Sequence, residues 1–118
     1  MTRRGDVVIV EFPFVDGGRG KNRPALVVQS DANNQRLQNT IIAMISGNVR
    51  LAGKAATQVF VDPHADNGAS SGLNGPSEVK RESLYTVRQQ DILCTIGRLS
   101  ASWLSTVDEC LKASLGLP

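Results

Sequence analysis

Short, β-branched apolar runs separated by turn-forming residues dominate the chain. Val7-Val8-Ile9-Val10 and Ala25-Leu26-Val27-Val28 are too short for helices and too rich in branched side chains, so they predict buried strands. Thr40-Ile41-Ile42-Ala43-Met44-Ile45-Ser46 predicts a third, reached through the polar stretch Asp31-Ala32-Asn33-Asn34-Gln35. Thr57-Gln58-Val59-Phe60-Val61 alternates polar and apolar positions, the pattern of a half-exposed strand. Asp62 to Gly75 is dense in Asp, Gly, Ser, Pro and Asn and predicts a loop. Ser77-Glu78-Val79-Lys80, Leu84-Tyr85-Thr86-Val87 and the segment Ile92 to Arg98 predict further strands.

Only the C-terminal segment carries helical periodicity. Ser100 or Ser102 can cap it, Trp103, Val107, Cys110, Leu111 and Leu115 then fall along one face, and Gly116 and Pro118 end it. The fold class is mainly β: short, mostly antiparallel strands followed by a C-terminal α-helix. At 118 residues, with no internal repeat, residues 1–118 read as a single domain.

Composition narrows the function without naming it. No run approaches the ~18 apolar residues that a membrane span needs, and no signal-peptide core follows Met1-Thr2-Arg3-Arg4-Gly5-Asp6, so a cytoplasmic protein without membrane contact is expected. One histidine and two distant cysteines supply no metal-ligand spacing. Cys94, in an apolar run, and Cys110, on the helix, read as buried free thiols. The net charge of +2 permits nucleic-acid binding without arguing for it, so local charge has to decide.

Local charge points to Arg23. The glycine-rich cationic loop Asp16-Gly17-Gly18-Arg19-Gly20 runs into Lys21-Asn22-Arg23-Pro24-Ala25-Leu26-Val27-Val28-Gln29. Pro24 fixes φ and disfavours helix at Arg23, and a sheet tolerates the missing proline donor where a strand begins. A guanidinium on a rigid strand beside a glycine-rich loop suits a phosphate or carboxylate. His64 is the sole histidine, which excludes a histidine pair as acid and base, and it reads as a solvated loop residue.

The chain resembles the MazF/PemK family of toxin–antitoxin ribonucleases in three ordered blocks. Arg4-Gly5-Asp6-Val7 resembles the family's opening. Lys21 to Asp31 resembles its signature segment. Ser71-Gly72-Leu73, Ser77, Leu84-Tyr85-Thr86-Val87 and Ile96-Gly97-Arg98-Leu99-Ser100 resemble its third block. The resemblance implies an SH3-like barrel with a terminal helix, and a homodimer that cuts single-stranded RNA near its interface. It also implies a small MazE-like antitoxin that blocks the groove.

By this resemblance the Arg-Pro arginine, Arg23, is catalytic, and physical grounds favour charge stabilisation of a phosphorane over proton donation, because arginine stays protonated far above neutral pH. Ser46 stands where the family carries a Thr or Ser. Its hydroxyl can donate to a non-bridging phosphate oxygen, or satisfy a strand-end backbone group instead. Glu82 falls near the acidic residue proposed in some members as the base for the ribose 2′-OH, with an ion pair to Lys80 or Arg81 as the structural reading.

Arg19, Lys21, Lys80 and Arg81 are candidates to track an RNA backbone, and Tyr85 to stack a base. Cleavage would need no metal or other cofactor and would leave 2′,3′-cyclic phosphate and 5′-hydroxyl ends. Two other functions stay open at this point: a gyrase-inhibiting toxin like the CcdB family, and a non-catalytic SH3-like binding module.

Overall fold

The computed structural model describes residues 2–12, 21–47, 58–62 and 69–118; at 58–60, 81 and 82 it describes the backbone. The strands are β1 (Asp6–Phe12), β2 (Lys21–Val27), β3 (Asn39–Ser46), β4 (Gln58–Val61), β5 (Ser77–Arg88) and β6 (Cys94–Arg98). They pair antiparallel in one sheet of order β4-β5-β3-β2-β1-β6. Among the described residues β4 and β6 remain edges, so the sheet is barrel-like but not closed. Among the described residues, the helices α1 (Asp31–Arg36) and α2 (Ala101–Leu115) and 3₁₀ turns at Ala69–Ser71 and Gln89–Asp91 accompany it.

Strand alternation divides the apolar runs between two faces. Val7, Leu26, Ala43, Ile45, Val61 and Val79 turn to one face, which α2 covers through Val107, Trp103, Leu104, Cys110 and Leu111. Val8, Val10, Phe12, Ala25, Val27 and Ile42 turn to the other, joined by Met44, Tyr85, Val87 and Ile92. Both faces are buried at the sheet centre, and this is why β1, β2 and β3 read as continuous apolar runs.

The helix signals hold in detail. The Ser100 hydroxyl accepts from the Trp103 N–H at 3.4 Å, and Gly116 closes α2 at φ 70°. Leu115, expected on the buried face, is 57% exposed: the α2 face leaves the sheet before its last turn.

α1 replaces what reads as a polar connection. Ser30 caps it through the Asn33 N–H, and its inward group is an amide rather than an apolar side chain. Asn34 is 3% exposed. Its Oδ1 accepts from Gln29 Nε2 at 2.9 Å and Thr40 Oγ1 at 2.7 Å, while its Nδ2 donates to the Gln29 carbonyl at 3.1 Å. A helix docked by hydrogen bonds leaves no hydrophobic period to read.

The two strands expected over 77–80 and 84–87 are one strand with a bulge. Ala43 pairs with Leu84 while the next residue, Met44, pairs with Lys80, so residues 81–83 have no β3 partner. The first part of β5 thereby pairs with β4 as well, through Gln58↔Lys80 to Val61↔Ser77. Ile92 and Leu93 precede β6 rather than belonging to it. Cys94, expected to be buried, is exposed, because β6 is an edge strand and this is its first residue; Cys110 is half-buried against the α2-covered core.

Several matched motif residues turn out to hold the frame together. The Asp6 carboxylate is buried and accepts from Arg98 Nη1 at 2.7 Å and from the Arg3 N–H at 3.0 Å, tying the start of β1 to the end of β6. Arg4 donates through Nε to the Val28 carbonyl at 2.9 Å and through Nη2 to Asp108 of α2. Gly97 lets the 69–73 segment lie flat on β6: a Cβ there would stand 2.3 Å from the Ser70 carbonyl oxygen. Gly72 does the same from the other side, at φ +73° and against the Ile96 carbonyl.

Candidate active site

Strand register brings Arg23, Lys21, Ser46 and Lys80 to one end of the face that α2 leaves uncovered. In β2, Arg23 shares its side of the sheet with Ala25 and Val27, both fully buried. Arg23 pairs with Val10 of β1, and Lys21 pairs with Phe12. On the β3 side the ladder runs Val27↔Ile42, Leu26↔Ala43, Ala25↔Met44. Continued by two residues, the same register sets Arg23 across from Ser46.

Ser46 in turn pairs with Glu78 of β5, and Met44 with Lys80. The paired residues Val10 and Arg23, and the paired residues Ser46 and Glu78, thus fall on one transverse row when the β2–β3 register is extended. A second row, one pleat nearer the core, crosses as Val8, Ala25, Met44, Lys80. The face thus grades from fully apolar at Val27 and Ile42 to charged at Lys21, Arg23, Glu78 and Lys80. Arg23 and Ser46 are half-buried, Lys80 is half-buried and Lys21 is exposed. Pre-set cations on a rigid apolar wall concentrate a field on whatever anion sits there.

Tyr85 lies on the same face, paired with Ile42. Its ring meets Phe12 edge-on, with centroids 5.2 Å apart and planes at 73°. One side of that ring is therefore committed to packing, although the residue is only half-buried. Glu82 and Arg81 fall in the β5 bulge, where the backbone has no β3 partner, and their side chains lie outside the described residues. Arg19, His64 and the segment from Arg50 to Ala56 lie outside them entirely.

Glu78 is the residue that sequence reading passed over. It is 2% exposed, and among the described residues its Oε1 has no hydrogen-bond partner. The signal was present: Glu78 and Lys80 are two residues apart on a strand, so they share a face, and Val79 between them is core. Among the described residues no group of three or more His, Cys, Asp or Glu stands close enough to hold a metal ion.

Residues 3–115 match the PemK-like, MazF-like toxins of type II toxin–antitoxin systems. The chain belongs to that family. It is 30% identical over 121 residues to endoribonuclease MazF9 of Mycobacterium tuberculosis, a match covering 99% of this chain and 98% of that protein. Endoribonuclease MazF6 of the same species is 33% identical over 98 residues, covering 82% of this chain and 81% of its own. Among solved structures, the Mycobacterium tuberculosis toxin MazF-mt6 superposes with a TM-score of 0.75 at 29% identity, covering 96% and 98% of the two chains. A mycobacterial endoribonuclease solved with its cognate antitoxin gives 0.80 at 19% identity, covering 100% and 98%, and so shares the fold. The matched range includes Arg23, the arginine of the charged end of the face.

Proposed function

We propose that this chain is the toxin of a type II toxin–antitoxin pair, a cytoplasmic endoribonuclease that cuts single-stranded RNA without a metal. The supporting observation is the transverse row in which Arg23 and Ser46, from separate strands, share one side of the sheet. The guanidinium and the hydroxyl converge on a phosphodiester laid along that row. As the ribose 2′-oxygen attacks phosphorus, negative charge grows on the non-bridging oxygens, and Arg23 and Ser46 meet it with fixed donors. An adjacent carboxylate takes the 2′-OH proton, and Glu82 is the acid that the family resemblance suggests for this step. The 2′-OH is the one nucleophile in this chemistry that needs neither metal nor histidine, so the products are a 2′,3′-cyclic phosphate and a 5′-hydroxyl.

Lys21 and Lys80 neutralise flanking phosphates, Arg19 and Arg81 extend the cationic track, and Tyr85 offers its free side to a base. The active form is a homodimer with RNA near its interface. A MazE-like antitoxin silences it by occupying the same cations. The deciding experiment incubates purified protein with total RNA and maps the ends. Discrete cuts bearing cyclic phosphate and 5′-hydroxyl support the reading; intact RNA together with inhibited gyrase supports the other class of toxin.

A further inference from the structure

We infer that Glu78, rather than Glu82, is the proton acceptor for the ribose 2′-OH; this rests on the ribonuclease reading and assigns its missing base. Three observations carry it. First, the register pairs Glu78 with Ser46, on the far side of Ser46 from Arg23. Two strand spacings, about 10 Å, then separate the acid from the arginine. An in-line displacement needs its attacking and leaving oxygens on opposite sides of phosphorus, so a base and a cation flanking Ser46 match the geometry of the reaction. Glu82 lies in the bulge, where no β3 residue faces it.

Second, Glu78 is a carboxylate at 2% exposure whose Oε1 has no hydrogen-bond partner among the described residues. An acceptor withdrawn from water without a donor costs about 1–3 kcal/mol. A catalytic role is one reason for a folded chain to retain such an atom, the substrate then supplying the donor. The ribose 2′-OH is that donor, and DNA lacks it, so the same carboxylate accounts for a preference for RNA.

Third, the described surroundings give the acid no ion pair. Near Glu78 the described cations on this face are Lys21 and Arg23 of β2 and Lys80 of β5, while Glu11, Arg88 and Asp91 stand by Val10 and Val87; among the described residues no ion pair joins a cation to Glu78. From β1 and β3 the face presents Val8, Val10, Phe12, Ile42, Met44 and Ser46.

The step balances simply. Glu78 takes the 2′-OH proton as the 2′-oxygen bonds to phosphorus; the P–O5′ bond breaks, and the 5′-oxygen takes a proton from water. Glu78 then returns its proton to solvent.

The test is the single-turnover cleavage rate of one single-stranded RNA transcript, from acid to neutral pH, for the wild-type chain, Glu78→Gln and Glu82→Gln. Thermal unfolding of each accompanies it. Glu78→Gln keeps the side-chain volume and should unfold at the parental temperature or above. Its rate should fall by about 10²–10⁴-fold, the usual worth of a general base. The residual rate should also lose the decline toward acid pH that protonation of a carboxylate imposes, while Glu82→Gln keeps that decline. A Glu78→Gln protein that cuts at the parental rate overturns the assignment, as does one that is slow but keeps the decline. Should Glu78→Gln fail to fold, Glu82→Gln decides: a Glu82→Gln protein that loses the decline toward acid pH overturns the assignment, and one that keeps the parental rate and decline supports it. These outcomes leave the ribonuclease reading standing; a wild-type chain that cuts no RNA at any pH brings down that reading and this assignment together.

Discussion

Replacing Arg23 with Ala tests the site most directly, because the structure separates its electrostatic role from its structural one. The strand that carries Arg23 is held by Ala25, Leu26 and Val27, each fully buried, and by backbone pairing to β1 and β3. Arg23 is half-buried at the charged end of the face, beyond that core. Removing it should cost at most about 1 kcal/mol of stability, the upper range for a partly exposed charged contact. Its loss in the transition state is larger. A preorganised donor aimed at developing phosphorane charge is worth about 3 kcal/mol, or two or more orders of magnitude in rate.

Arg23→Lys should be impaired as well, because a point charge on a flexible stem does not reproduce a planar fork. The assay pairs single-turnover cleavage of a defined RNA with thermal unfolding of the same preparations. Parental cleavage by Arg23→Ala refutes the role given to the residue. A large fall in both rate and unfolding temperature refutes the claim that strand and charge are separable.

Three further outcomes follow from the same geometry. Cleavage should persist in excess EDTA and stop when the ribose at the cut site carries hydrogen or O-methyl at the 2′ position; a 2′-deoxy substrate cut equally fast means that water attacks instead. Lys21→Glu together with Lys80→Glu should weaken RNA and an acidic antitoxin segment alike, and binding of both should weaken as salt rises in isotherms at two ionic strengths. Antitoxin affinity that survives the double change and ignores salt places its contact on an apolar surface. Gly97→Ala should destabilise the fold by about 1–3 kcal/mol, since the new methyl would meet the backbone of Ser70 and Ser71 within 2.4 Å, where neither can swing aside. An unchanged urea midpoint would show that the 69–73 segment does not rest on β6.

Local chemistry was legible in the residues themselves. Branched apolar runs marked β1, β2 and β3; Pro24 marked Arg23 as a strand residue; Ser100 and Gly116 marked the two ends of α2. Each of these depends on interactions within a few residues, where propensity and capping act. The family blocks added the signature arginine and the serine at the end of β3. A helix docked by Asn34 was not legible, because hydrogen bonds to Gln29 and Thr40 leave no apolar period. Nor was the exposure of Cys94, which depends on β6 being an edge strand rather than on the cysteine's own neighbours.

Which acid stands opposite Ser46 was decided only by tertiary structure. Glu78 and Glu82 are four residues apart in one strand, and composition treats them alike. The bulge at 81–83 takes Glu82 out of the β3 ladder and leaves Glu78 paired with Ser46. Register is a property of two strands together, and an insertion in one of them changes every partnership beyond it. The sequence could place each catalytic candidate on its own strand; only the pairing of β2, β3 and β5 could put them in one row.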